Sequence, residues 1–198
     1  MSKDDTVKIK EVITEILEKY QNMDKYFRDV IAALWESNGS NNSKFLIKRY
    51  DSCHEIYNSE DEVHKTGCYI FLEQFDEKCE KKIGKDDCFL FLEKLVPVYI
   101  GVGGTGTQKD LRYRVIQELH NSEKDTGATL SKKIKEFENI SADASVEKIK
   151  NFHLITIIVG ERDKRCDRYK AQALEAILIA LFDPEYNKQV GDKNGKNN

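Results

Sequence analysis

Apolar residues in the first third of the chain recur at the spacing of one face of an α-helix. Between Val7 and Trp35 they come every three or four residues, which predicts one long helix or two helices broken near Asn22. Asp4 or Asp5 suits the N-terminal cap, because a short carboxylate accepts hydrogen bonds from free backbone N–H groups. The same spacing predicts a second helix over Lys44–Tyr57.

After Thr66 the pattern changes to short runs of β-branched and aromatic residues, which are typical of strands. These runs predict strands over Gly67–Leu72, Leu95–Gly101 and Phe152–Val159. Helical spacing returns between and after the strands, in the segments Leu111–Leu119, Leu130–Phe137 and Tyr169–Pro184. We therefore predict an α/β protein of the α+β type, in which helices flank a small, three-stranded, mainly antiparallel sheet.

Composition divides the chain into three parts. Residues 1–62 are predicted to form a helical N-terminal region, residues 63–190 a domain that contains the sheet, and the polar residues 191–198 a disordered tail. Within the domain, the charged segment Glu73–Asp87 has the composition of a hairpin excursion. Cys88–Leu92 is predicted to extend the sheet or to pack on it.

The composition also argues against several classes of protein. The sequence has no apolar stretch near the ~20 residues that a membrane span needs, and its N-terminus does not resemble a signal peptide. Five scattered cysteines without a C-x-x-C pair argue against a disulfide framework or a zinc site, and fit a cytoplasmic location. The net charge of −3 gives no overall basic surface for nucleic acid, so such contacts would come from local clusters of lysine and arginine.

Glu175 is the most unusual residue of the predicted helices. It lies inside the apolar run Ala173–Phe182, and no Lys or Arg lies three or four positions away to pair with it. Because an unpaired buried carboxylate costs several kcal/mol, such a group is normally protonated, paired with a distant cation or bound to a metal. A divalent cation is therefore a candidate partner. The alternative is a helix edge with the carboxylate in water.

Other short motifs occur in order around Glu175. The set is Gly67-Cys68-Tyr69, Val98-Tyr99-Ile100-Gly101, Leu111-Arg112-Tyr113-Arg114, Glu175-x-x-Leu178-Ile179 and Pro184-x-Tyr186-Asn187. In this order, and with the predicted strands and helices around them, the motifs resemble those of the GIY-YIG nuclease superfamily. The resemblance extends from Gly67 to Lys188. It is closest in layout to the restriction-endonuclease-like branch, in which the first two strands are joined by a longer connection.

The resemblance implies a metal-dependent endonuclease that hydrolyses DNA phosphodiester bonds. Glu175 would hold Mg²⁺ or Mn²⁺ with retained waters, and the forked guanidinium of Arg114 would hold the scissile phosphate. Tyr69 would position or deprotonate the attacking water, its pKa lowered by the metal and by Arg114, with Tyr99 as a hydrogen-bonding partner. Asn187 would tie down the end of the Glu175 helix or contact the phosphate.

One position departs from the family pattern. The family often has a His or Tyr four residues after its arginine, whereas this chain has Glu118 there, and His120 lies nearby but out of register. Both residues are auxiliary candidates. A catalytically inactive nuclease fold that binds DNA or protein is therefore an alternative function.

The glycine-rich loop Gly103–Thr107 between a strand and a helix gives a further alternative, a nucleotide-binding protein. No Lys-Ser/Thr pair follows the glycines, so the loop is not a Walker A loop. Gly101, just before it, is expected only to let the chain turn after the strand.

Candidate contacts to DNA are backbone groups of the glycine loop and cations of nearby clusters: Gly103, Gly104, Lys109, Arg112, Arg165 and Arg168. The apolar helical face within Val7–Tyr57 is a candidate for a homodimer interface or a DNA-reading element. A membrane partner is not expected.

Overall fold

The computed structural model describes residues 22–23, 25–34, 42, 45–74, 95–105, 109–119 and 129–188. The predictions for the chain before residue 22, for Cys88–Leu92, for the tail and for His120 fall outside these ranges. Most of the predicted hairpin segment Glu73–Asp87 also lies outside the described ranges.

An antiparallel sheet of four strands forms the centre of the described fold. Its strands are β1 (Ile47–Tyr50), β2 (Lys65–Gln74), β3 (Leu95–Gly103) and β4 (His153–Glu161), in the order β1-β4-β2-β3. Since β2 pairs antiparallel with both β3 and β4, the latter two run in the same direction, and β3 lies at one edge. The α+β class is confirmed, whereas the prediction of three strands is wrong.

The additional strand, β1, lies in the segment predicted as the helix Lys44–Tyr57, and that prediction is wrong. Its two end residues, Ile47 and Tyr50, are buried, and a spacing of three fits a helix as well as a short strand. β1 pairs with β4. A 3₁₀ helix (Cys53–Asn58) follows it and begins at a capping box formed by Ser52 and Glu55.

Five α-helices complete the described elements. They are α1 (residues 25–34), α2 (Leu111–Leu119), α3 (Thr129–Glu138), α4 (Ala142–Lys150) and α5 (Arg165–Phe182), with a 3₁₀ helix (Glu185–Asn187) after α5. The helices predicted at the positions of α2, α3 and α5 are confirmed, and α5 begins one turn earlier than predicted. The sequence prediction missed α4, whose start is capped by Ser141 accepting a hydrogen bond from the Ala144 N–H.

The sheet separates two apolar clusters because successive strand residues face opposite sides. Cys68 and Ile70 of β2 pack with α1 and α5 on one face. Tyr69 and Phe71 pack with α2, α3, α4 and both 3₁₀ helices on the other face. The helices that carry the candidate residues Arg114 and Glu175 therefore cover opposite faces of one sheet.

A buried carboxylate joins the turn before β2 to the sheet. Glu62 is fully buried and accepts hydrogen bonds from the hydroxyls of Tyr50 (2.6 Å), Thr156 (2.6 Å) and Ser59. Its backbone carbonyl accepts from the Lys65 N–H. These contacts hold the turn against the strands β1 and β4.

We expect Glu62→Ala to lower the free energy of unfolding by about 2–4 kcal/mol, because it leaves several hydroxyl donors without their acceptor. Urea unfolding followed by circular dichroism measures this. The matched control is Glu60→Ala, since the Glu60 side chain is 83% exposed, and it should change stability by less than about 0.5 kcal/mol. Equal effects of the two changes would contradict a structural role for Glu62.

Candidate active site

Tyr69 lies in the middle of β2, directly opposite Gly101 of β3, and is fully buried. A Cβ atom added at Gly101 would overlap Cζ and the hydroxyl of Tyr69. The missing side chain is therefore what lets the phenol ring pass over the neighbouring strand. The expectation that Gly101 only turns the chain is wrong, because β3 continues to Gly103.

Glu118 of α2 is the centre of the polar contacts around this ring. It is fully buried, and its Oε1 accepts hydrogen bonds from the Tyr69 hydroxyl at 2.9 Å and from Arg114 Nη2 at 2.7 Å. Its Oε2 accepts from the Leu130 N–H at 2.7 Å. One carboxylate thus connects β2, α2 and α3.

Arg114 and Tyr99 lie on the same side of the sheet as Tyr69. Arg114 Nη1 donates to the Gln117 side chain at 3.0 Å, and the rings of Tyr69 and Tyr99 are 6.3 Å apart between centroids. Lys133 Nζ lies 5.4 Å from the centroid of the Tyr99 ring. Tyr69, Tyr99 and Arg114, which the sequence predicted to share a site, are therefore brought together.

Glu175 approaches these residues from the opposite face of the sheet. It is half-buried on α5, and the Val102 N–H of edge strand β3 lies close enough to its carboxylate to favour the ionised form. Burial raises the pKa of the Glu175 carboxyl, whereas the charge of Arg114 and the Val102 N–H oppose that rise. Arg114, from another element, is thus a cation whose charge acts on Glu175, and burial still outweighs its effect on the pKa.

The pKa values of the two phenols are set by their surroundings. Burial and the Glu118 carboxylate raise the pKa of Tyr69 well above its ordinary value, and the same causes raise the pKa of Tyr99. Arg114 lowers both pKa values, but it does not outweigh burial and Glu118. The predicted lowering of the phenol pKa concerns the state with a bound metal and stays a prediction; without a metal, burial and Glu118 raise both pKa values.

Asn187 anchors the chain that follows α5. Its Oδ1 accepts a hydrogen bond from the Ile100 N–H at 2.8 Å, and its Nδ2 donates to the Ile100 carbonyl at 2.8 Å. These contacts tie the end of the Glu175 helix to β3, which is one of the two roles predicted for Asn187.

Two of the candidate DNA contacts, Arg112 and Gly104, make structural contacts within the protein. Arg112 donates to the backbone carbonyls of Ile56, at 3.2 Å, and Tyr57, so it holds the first 3₁₀ helix. Gly104 has a φ of +73°, and a Cβ there would overlap the backbone of Lys65 and Thr66. Close packing therefore requires this glycine, and a phosphate-binding role is not needed to explain it.

The other candidate contacts lie as follows. Gly103 is buried where a Cβ would overlap Leu111, Lys109 and Arg165 are exposed, and Arg168 is partly buried.

Sequence reasoning gave Glu118 only an auxiliary role and missed Lys133. The signal for Glu118 is its position seven residues after Leu111, which places it on the apolar face of α2 with Val115. A carboxylate on such a face needs donors from other elements. Lys133 carries no comparable signal, since it lies in a cluster of lysines interleaved with acids.

Among the described residues, no three His, Cys, Asp or Glu side chains are grouped so that they could hold a metal together. Nor does any helix in this part of the chain have the length and apolar character needed to cross a membrane. No protein-family model, curated protein or solved structure matches the chain. The geometry is therefore the basis for the function.

We expect Gly101→Ala to lower the free energy of unfolding by about 1–3 kcal/mol, because its methyl group overlaps the Tyr69 ring. Tyr69→Ala removes the overlapping atoms, so the two changes should be strongly non-additive in a double-mutant cycle of urea unfolding. Additive effects would show that the glycine does not serve to accommodate the ring.

Proposed function

We propose that the protein is a metal-dependent endonuclease that hydrolyses DNA phosphodiester bonds, of the GIY-YIG type. The observation that carries the proposal is the convergence of Tyr69, Tyr99 and Arg114 on the buried Glu118, with Glu175 within electrostatic reach of Arg114. These residues come from β2, β3, α2 and α5.

The donor set around Glu175 fits a hydrated Mg²⁺ or Mn²⁺ ion. Mg²⁺ usually keeps several waters and takes one or two protein carboxylates plus substrate phosphates, so Glu175 would hold it together with a phosphate of the DNA. When bound, the ion would neutralise charge on a phosphate oxygen and orient a water. A cation would also relieve the cost of burying the ionised form of Glu175, whose pKa burial raises.

Arg114 is the group that would bind the phosphate. A guanidinium offers donors in a fork that matches two phosphate oxygens, and two of its nitrogens already contact Gln117 and Glu118. These contacts reduce the freedom of the side chain, so less entropy is lost when a phosphate binds. Arg114 would then offset the charge that grows on the phosphoryl oxygens during hydrolysis.

Tyr69 would act as a neutral phenol rather than as a phenolate. Its hydroxyl donates to Glu118 at 2.9 Å and is fully buried, so a water would have to enter beside the ring before the phenol oxygen could accept a hydrogen bond from it. The water would give a proton to Tyr69 while Tyr69 gives its own proton to Glu118, which becomes a neutral acid. This transfer does not require a lowered pKa of the phenol.

A non-catalytic nuclease-fold module that binds DNA or protein is the second candidate, and one contact favours it. The ion pair between Arg114 and Glu118 neutralises the guanidinium and is satisfied without any ligand. Under this alternative the cluster only holds β2, α2 and α3 together. Cleavage assays separate the two functions, whereas binding assays alone do not.

We expect Glu175→Ala to abolish Mg²⁺-dependent cleavage of plasmid DNA without loss of the fold, because it removes the metal ligand and a costly buried charge. Agarose gels measure cleavage, and circular dichroism checks the fold. Gln172→Ala, on an exposed position of the same helix, is the control and should cleave as the wild type does. Undiminished cleavage by Glu175→Ala would exclude the proposed metal site.

Arg114→Ala should reduce the single-turnover cleavage rate by more than about tenfold, since a transition-state contact worth over ~1.4 kcal/mol is lost. Glu118 then remains buried without its cation, so the variant should also be less stable, and rates are compared at a temperature where it is folded. Arg114→Lys keeps the positive charge but loses the paired N–H donors of the guanidinium. A rate within threefold of the wild type for Arg114→Ala would rule out a phosphate contact.

A further inference from the structure

Helix α3 brings a second cation to the face of the sheet that carries Tyr69. The first turn of α3 is held at the candidate site, because the Leu130 N–H donates to Glu118 Oε2 at 2.7 Å. Lys133 follows one turn later and lies at helical spacing between the buried residues Leu130 and Phe137. A residue with this spacing belongs to the side of the helix that packs on the core, where a lysine is unusual.

The other two lysines of α3 have a different environment. The Lys132 side chain is 74% exposed and pairs with Glu136 at 3.9 Å, and Lys135 is exposed. Lys133 is only partly exposed, and its Nζ lies 5.4 Å from the centroid of the Tyr99 ring. An ammonium at this distance is attracted by the electron-rich face of an aromatic ring. Tyr99 therefore restrains the end of an otherwise flexible side chain.

The Lys133 ammonium is able to bind a ligand. It has three N–H donors, and it forms no hydrogen bond or ion pair with any other residue that the structure describes. Burial lowers the pKa of this ammonium, and the Glu118 carboxylate opposes the fall without outweighing it. Because a partly buried charge without a paired acceptor is costly, an anion that took up these donors would stabilise the protonated lysine.

Lys133 also changes the charge of the candidate site. Arg114 and Glu118 form an ion pair, so their charges cancel. The raised pKa values keep the two phenols neutral. Lys133 therefore gives this side of the sheet the excess positive charge that the ion pair alone does not provide. Binding of a phosphate, which is an anion, requires such an excess.

Resting on the proposed nuclease function, we infer that Lys133 is a further catalytic residue, whose ammonium contacts a non-bridging oxygen of the scissile phosphate beside Arg114. Arg114 offers paired donors from α2, and Lys133 offers a compact charge from α3. The water oxygen bonds to phosphorus while its proton passes through Tyr69 to Glu118. The bond from phosphorus to the leaving oxygen breaks, and that oxygen keeps the electron pair and takes a proton from solvent water. Lys133 stays protonated and stabilises the charge that grows on the phosphoryl oxygens.

Anisotropy of a labelled DNA duplex in EDTA, measured over a range of KCl concentrations, tests this contact without cleavage. Lys133→Met keeps the length of the side chain but loses its charge. It should weaken binding and reduce the slope of log Kd against log salt by about 0.9, because Glu118 already offsets the charge of Arg114. Lys133→Arg should retain the slope. Lys132→Met, at the exposed neighbouring position, is the matched control and should bind as the wild type does.

Single-turnover cleavage in Mg²⁺ gives the second readout. With protein in saturating excess over DNA, Lys133→Met should lower the rate by about tenfold or more, because the lost contact strengthens in the transition state. Lys133→Arg should recover part of this rate, since it restores the charge. Circular dichroism melting checks that each variant is folded at the assay temperature.

Two results would overturn the inference: a salt slope that Lys133→Met leaves unchanged, or an equal loss of slope in Lys132→Met. Failure of the proposed function has a different signature. In that case the wild type shows no Mg²⁺-dependent cleavage, whereas the salt slope of binding still depends on Lys133. A wild type that does not bind the duplex would overturn both.

Discussion

The burial of the Glu118 carboxylate is the constraint on which the candidate site depends. A fully buried carboxylate is tolerated only where donors surround it, and here they come from a phenol, a guanidinium and a backbone N–H. Because each donor belongs to a different part of the chain, satisfying Glu118 also sets the positions of Tyr69 and Arg114. The contacts that stabilise this region are therefore the same contacts that set the geometry of the candidate site.

The site also depends on where the sheet ends. β3 has no neighbour on its outer side in the described sheet, so Glu175 can reach the Val102 N–H from α5 while Arg114 lies across the strand. Gly101 supplies the second requirement, since a side chain there would exclude the Tyr69 ring. An edge strand with a glycine at this position lets the Tyr69 ring and Glu175 approach β3 from opposite faces.

The sequence predicted what depends on local pattern. The helix over Leu111–Leu119 and the cores of β2, β3 and β4 follow from spacing and residue type, and the ordered motifs pointed to Tyr69, Tyr99, Arg114 and Glu175. It failed where tertiary contacts decide. β1 is too short for its period to differ from that of a helix, and the effect of Glu118 on the phenol pKa values was not foreseen because it comes from another element. Neither pairing partners nor burial can be derived from spacing alone.

The outer side of β3 shows how the same residues affect solubility. Exposed strand edges recruit other strands, and proteins usually block them with proline, charge or a covering segment. Here Pro97 has no N–H, the Asn187 amide bonds both backbone polar groups of Ile100, and the Glu175 carboxylate lies beside the N–H of Val102. The Asn187 side chain thus makes the two backbone hydrogen bonds at Ile100 that a neighbouring strand would otherwise make. Opening this edge would give other strands a template for pairing, so a requirement for a monodisperse protein would by itself retain Asn187 and Glu175.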